Sequence, residues 1–355
     1  MKRTLRTIYA VVCTLALAAG FILVFAFAWS KGMDSTILAV CGLVLGVIFA
    51  PILHELGHVI FAKAAGMDCV LVKCFCFQVR LQEGKKRFSF ASPFAPDRTE
   101  VVPKFGGNMR RRAAAYTLGG LILSAVSLSA ILGVAIPLSV MGKTSYLLWG
   151  LLPYIGYLFL LNVAPMEYGM GKTDMLIYYG LCKGAPTEKV FLSAMEIQGR
   201  LYAGESFSEI EEGCFYDIPQ LCEDEPLYAV MLDLRYRYHL EKEEYEKAAD
   251  CLNRLAGLQA YLSEREVKKI AAELAYMHLL NRDWERFEET QKLCREVLLE
   301  NTAAAKRILA AYSYAVDKKE AVPTFKEQAE RCLEKERMKG VAKFERILLS
   351  RIKEV

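Results

Sequence analysis

Four apolar runs, each long enough to cross a hydrocarbon core of about 30 Å, fall within the first 165 residues of this 355-residue chain. They cover roughly 8–29, 36–65, 113–137 and 145–165. A backbone in lipid must satisfy its own hydrogen bonds, so runs of this kind are confined to helices or closed barrels, and lengths near twenty residues select helices. The expected fold is an all-α polytopic membrane protein of about four transmembrane helices. The first run follows Lys2, Arg3 and Arg6, and a second apolar run begins almost at once. It therefore reads as a retained span, because a signal peptide would be shorter and would precede a polar mature chain.

Charge in the connections sets the expected orientation. The N-terminus carries three Lys or Arg and the 67–112 segment ten, whereas the connections near Lys31 and Lys143 carry one each. By the positive-inside rule the N-terminus, the 67–112 loop and everything after the fourth span are expected on the cytoplasmic side. Inside that loop Phe75, Phe77, Val79 and Leu81 alternate with Cys74, Cys76, Gln78 and Arg80, and after Glu83-Gly84-Lys85 a second alternation places Phe88 and Phe90 around Ser89. This predicts a small membrane-associated β-hairpin over 69–92.

From about Pro186 the pattern turns helical and charged, with no further run long enough to span a membrane. The stretches HLEKEEYEKAADCLNRL, LLNRDWERFEETQKLC and AVDKKEAVPTFKEQAERCL recur at a similar interval. They predict a tetratricopeptide-like array of helix pairs. The chain is thus expected to divide into a membrane domain over 1–185 and a cytoplasmic α-helical domain over 186–355. The latter is expected to bind a partner protein or to regulate.

Composition excludes little by itself, since 54% hydrophobic content averages two unlike halves. A net charge of +4, with its basic residues beside apolar runs, argues against nucleic acid. Eleven scattered cysteines read as buried thiols in a reducing compartment. Gly171-Lys172-Thr173 resembles the end of a phosphate-binding loop, but Met166 stands where the leading Gly belongs and no buried strand precedes it, so no nucleotide is expected. Cys74 and Cys76 lack partners at zinc-site spacing and read as strand residues.

The chemistry concentrates in the second run. It contains PILHELGHVIFAKAAG, with His54, Glu55 and His58 in an H-E-x-x-H arrangement. On a helix, positions four apart share a face, so both imidazoles can bind one Zn²⁺ while Glu55 reaches a water on it as general base. Such groups are costly in lipid without a metal or partners. A catalytic zinc commonly has three protein ligands and an open position, and the membrane half holds no third histidine. Asp34 lies on the wrong side and Asp68 and Asp97 lie in the loop, which leaves Glu167 and Asp174 after the fourth span. Topology favours Asp174, because DMLIYYGLC would return it to the membrane boundary.

HELGHVIFAKAAG followed by LNVAPMEYGMGKTD resembles the site-2 protease family of intramembrane zinc metalloproteases, over about residues 36–180. The resemblance implies His54, His58 and Asp174 as zinc ligands and Glu55 as catalytic acid and base. Asn162 and Pro165 match the family's Asn and Pro and imply substrate binding. It further implies hydrolysis of membrane-spanning or signal-peptide-like substrates, with the hairpin offering an edge strand to an unwound substrate. Met175 departs from the family's usual Gly. YTLGGLILS is similar to its Gly-rich segment but carries Ser124 where Asn is frequent. Two other functions fit parts of the pattern. One is a proteolytically silent scaffold with a structural metal, against which the intact Glu55 argues; the other is a transporter, against which the lack of an inverted repeat argues.

Overall fold

The computed structural model describes residues 3–82, 85–92, 97–168 and 171–352. Among these described residues, four helices are long and apolar enough to cross a membrane: α1 (Arg3–Trp29), α2 (Met33–Ala64), α3 (Met109–Val140) and α4 (Tyr146–Val163). The protein is therefore an integral membrane protein. Leu15, Ile22, Leu23, Val44, Val126 and Val134 remain exposed along these helices, as a lipid-facing surface requires.

Helices in lipid gain nothing by hiding apolar surface from one another, so their association rests on close van der Waals packing between small residues. α2 and α4 form the central pair and each also touches α1 and α3. At their crossing a Cβ added to Gly42 would lie 2.9 Å from the Gly150 Cα. Where α2 crosses α3, a Cβ on Gly57 would lie 3.0 Å from the Gly120 Cα, and one on Gly119 2.5 Å from the Gly57 carbonyl oxygen. The backbones are in contact there.

Between α2 and α3 lies a four-stranded sheet made of β1 (Met67–Cys74), β2 (Phe77–Gln82), β3 (Lys85–Phe90) and β4 (Arg98–Pro103), in the order β3-β2-β1-β4. The expected hairpin is present as β2 and β3, with Val79 opposite Phe88 and Phe77 opposite Phe90; Glu83 and Gly84, at its expected turn, lie outside the described residues. The alternation from Cys74 to Leu81, however, is two strands rather than one. The chain reverses at Phe75, which adopts a left-handed φ of 52°, so that Cys74 pairs with Phe77. Asp97 holds this turn by accepting the Phe75 N–H at 2.8 Å and the Lys73 ammonium at 2.9 Å. A period of two carries straight through so tight a turn and conceals it.

After α4 come the two-residue strands β5 (Glu167–Tyr168) and β6 (Gly171–Lys172) and then α5 (Asp174–Lys183). The basic start of α3 fastens its neighbours. Arg112 donates to the Ala65 and Gly66 carbonyls at 2.8 and 2.7 Å, and Arg110 to those of Leu181 and Cys182 at 2.7 and 2.9 Å. Each cation thus satisfies the free carbonyls at a helix C-terminus, where the helix dipole favours positive charge.

Contacts within the chain define two units, Met1–Val102 with Asn108–Glu188 and Pro103–Gly107 with Lys189–Val355. The second is helical, with α6 (Pro186–Ala203) entering it from the first, followed by α7 (Gly213–Tyr216), α8 (Pro226–Glu241), α9 (Tyr245–Ala256), α10 (Glu264–Leu280), α11 (Trp284–Leu298), α12 (Ala303–Ala315), α13 (Val322–Leu333) and α14 (Lys339–Arg351). The pairs α8/α9, α10/α11 and α12/α13 reverse through one device, in which Glu243, Arg282 and Asp317 take left-handed φ values near 60°. The next N–H then returns to a carbonyl five residues back, Glu244 to His239, Asp283 to His278 and Lys318 to Ser313. The repeat visible in the sequence is thus a repeat of helix pairs with a common turn.

The core of this unit encloses a charged cluster. Arg307 is fully buried, donates to both Glu273 oxygens at 2.8 and 2.9 Å and to Glu345 at 2.8 Å, and lies over the Tyr276 ring. Removing the cation would strand two buried carboxylates, a loss of about 3–5 kcal/mol. Arg307→Ala is therefore expected to lower the urea midpoint of this unit markedly, read from Trp284 emission in a Trp29→Phe, Trp149→Phe background; an unchanged midpoint would show that the cluster contributes no net stability.

Candidate metal centre

His54 and His58 lie one turn apart on α2, both buried, with their ring centroids 5.0 Å apart. Asp174 opens α5 and its Oδ2 lies 3.0 Å from the His54 Nε2 and 3.4 Å from the His58 Nε2. The three side chains each bring one donor atom into a group whose members all lie within 4.8 Å of one another, and this group could hold a metal ion. Asp174 Oδ2 is buried and accepts no well-aligned hydrogen bond.

The other face of each imidazole is engaged. His58 Nδ1 donates to the Tyr116 carbonyl at 2.9 Å, and His54 Nδ1 meets the Ser124 hydroxyl at 3.1 Å. A carbonyl can only accept, so the neutral His58 ring carries its proton on Nδ1 and points a lone pair from Nε2 toward Asp174. Anchoring the far nitrogen in this way is how proteins orient histidines toward metals. Ser124 thus has a definite task, to hold the His54 ring. Gly120 completes the cradle, for a Cβ there would lie 2.5 Å from the His58 Nε2 and 2.8 Å from the His54 Nε2. Two imidazoles and a carboxylate around a space kept open by a glycine make a donor set that could hold a metal ion.

Asp174 reaches this depth through its neighbour. Thr173 is fully buried; its hydroxyl donates to the Ala164 carbonyl at 2.6 Å and accepts from the Met166 N–H at 3.1 Å, and it also caps α5 at Leu176 N–H. The start of α5 is thereby tied to the end of α4. Glu167, the other carboxylate weighed for the third position, instead pairs with Arg6 at 2.5 Å and is half exposed. Asp97 is spent on the β1–β2 turn.

Glu55 is buried beside its histidines and its Oε2 accepts the Thr99 hydroxyl at 2.6 Å. Tyr116, whose carbonyl holds His58, donates its own hydroxyl to the Thr99 carbonyl. Strand β4 is therefore pinned across the acid by two bonds. The remaining site candidates stand outside the metal group: Asn162 is buried on α4 with its amide donating to the Leu158 carbonyl at 3.1 Å, and Pro165 is exposed just after α4. Lys172 of the loop-like GKT pairs with Glu188. Sequence reasoning missed Thr99, Tyr116, Thr173 and the role of Gly120, though a Gly-Gly pair inside a span does signal a close approach.

No family model, curated protein or solved structure matches the chain.

The cradle makes its own prediction. Gly120→Ala and Ser124→Ala should each weaken metal binding at this group by about tenfold or more while leaving helix content unchanged, measured as metal retained against a graded chelator. Wild-type retention in Gly120→Ala would show that the metal lies elsewhere.

Proposed function

We propose that this protein is an intramembrane zinc metalloprotease similar to site-2 proteases. The observation that carries the proposal is the convergence of His54, His58 and Asp174, with Glu55 alongside, where the two histidines and the glutamate are buried on a helix long and apolar enough to cross the bilayer. When bound, zinc would polarise a peptide carbonyl and lower the pKa of a water toward 7. Glu55 takes the proton of the attacking water and returns it to the departing amine, which requires a base within hydrogen-bond reach of both. His54, His58 and Asp174 supply the ligands, with their geometry held by Ser124, Tyr116 and Thr173.

The substrate class follows from the setting. A helix in lipid has its amides fully bonded, so the scissile segment must be unwound before a base can serve it. The sheet beside the site offers strand pairing as a means to that end. The proposed substrates are single-span or signal-peptide-like segments, cleaved near the cytoplasmic face given the Lys and Arg of the 67–112 loop. Asn162 and Pro165 are proposed to border the substrate at the end of α4. The helical unit is proposed to lie in the cytoplasm and to bind a partner protein along its stacked pairs.

Membrane-peptide inventories of cells carrying wild type or Glu55→Gln test this directly. At least one single-span fragment should accumulate with the variant by about tenfold or more, as removal of a general base allows. Identical inventories would contradict the proposal.

A further inference from the structure

Strand β4 covers the acid on which the proposed chemistry depends. Thr99 is buried and its hydroxyl occupies a Glu55 oxygen at 2.6 Å, while the Tyr116 hydroxyl holds the Thr99 carbonyl. β4 is nonetheless an edge strand, bordered in its sheet by β1 alone. Edge strands separate from a sheet more readily than central ones, since they lose one ladder instead of two. A substrate segment approaching Glu55 competes with Thr99 for the same carboxylate oxygen.

The chain continues from β4 into Pro103–Gly107, and this loop belongs to the helical unit. Gly107 N–H donates to Glu196 at 2.8 Å, and Glu196 is itself held by Arg200 at 3.0 Å. Gly199 lies directly against the loop, where a Cβ would come within 2.6 Å of the Phe105 carbonyl oxygen. At the end of the loop, Gly107 and Asn108 take successive left-handed φ values of 85° and 54°, just before α3 begins at Met109. The loop is thus fastened to α6 on one side and joined by a peptide bond to the strand over Glu55 on the other.

We infer that β4 is a strap that closes over Glu55, latched by Thr99, and that the Pro103–Gly107 loop clasped by Glu196 is the handle through which the helical unit sets the strap. Displacement of the handle, as by a partner bound to the helical unit, passes along the chain to Thr99 and frees Glu55. The inference rests on the proposed role of Glu55, but the motion itself does not depend on hydrolysis.

Amide exchange by mass spectrometry on the full chain in detergent, with zinc present, reads the strap independently of cleavage. Glu196→Ala, which alters no residue of the metal group, should speed exchange of the 98–102 amides by about threefold or more, through local opening. Thr99→Val should do the same and Thr99→Ser should restore the wild-type rate, since only the hydroxyl is needed for the latch. Faster exchange confined to 103–107 in Glu196→Ala, or a Thr99→Val strand that exchanges at the wild-type rate, would overturn the inference. In cells, Glu196→Ala should increase turnover of whichever fragment accumulates with Glu55→Gln; unchanged turnover alongside a loosened strand would also overturn it. Absence of any such fragment would instead defeat the proteolytic function and leave the exchange result to decide the strap.

Discussion

The approach of α2 to α3 at Gly57, Gly119 and Gly120 is the constraint on which the rest of the membrane half depends. With no side chains there, the backbones meet, and α3 can then serve both histidines of α2 at once. Ser124 and the Tyr116 carbonyl sit on the same helix, and both anchor an imidazole by Nδ1. Separating the helices by one methyl would break both anchors and fill the space that the ring nitrogens face. In lipid, where polar groups find no water, such anchoring makes a buried H-E-x-x-H tolerable.

The third member of the group, Asp174, arrives by a different route, from the chain after α4. Thr173 ties that chain to Ala164 and Met166, and Arg110 fastens the far end of α5 through the Leu181 and Cys182 carbonyls. The short helix is thus held at both ends, and Asp174 at its start is fixed against the imidazoles without belonging to a span. Both ties use fully local chemistry, a capping threonine and an arginine on free carbonyls, to achieve a long-range placement.

How much of this is legible in the sequence varies with the range of the interaction. His54, Glu55 and His58 are evident because a helix repeats every turn, and the spans because lipid demands length and apolarity. Asp174 follows from counting charges in the loops, an argument about topology that geometry then sharpens by sending Glu167 to Arg6. The Phe75 turn is hidden because alternation runs unbroken through it. Thr99 is hidden for a deeper reason: RTEVVP is short and polar, and nothing local says that it will lie across an acid 44 positions earlier. The helix pairs of the second half repeat visibly, whereas the Arg307 cluster joins α10, α12 and α14 through contacts that no periodicity records.

X-ray absorption at the zinc edge of the purified protein tests the central claim most directly. Zinc held by the proposed ligands should have nitrogen and oxygen neighbours at about 2.0–2.1 Å and no sulfur. This environment should persist in Glu55→Gln and Glu167→Gln, lose an oxygen in Asp174→Ala, and disappear in His58→Ala. A sulfur neighbour, or an environment that survives His58→Ala unchanged, would contradict the claim.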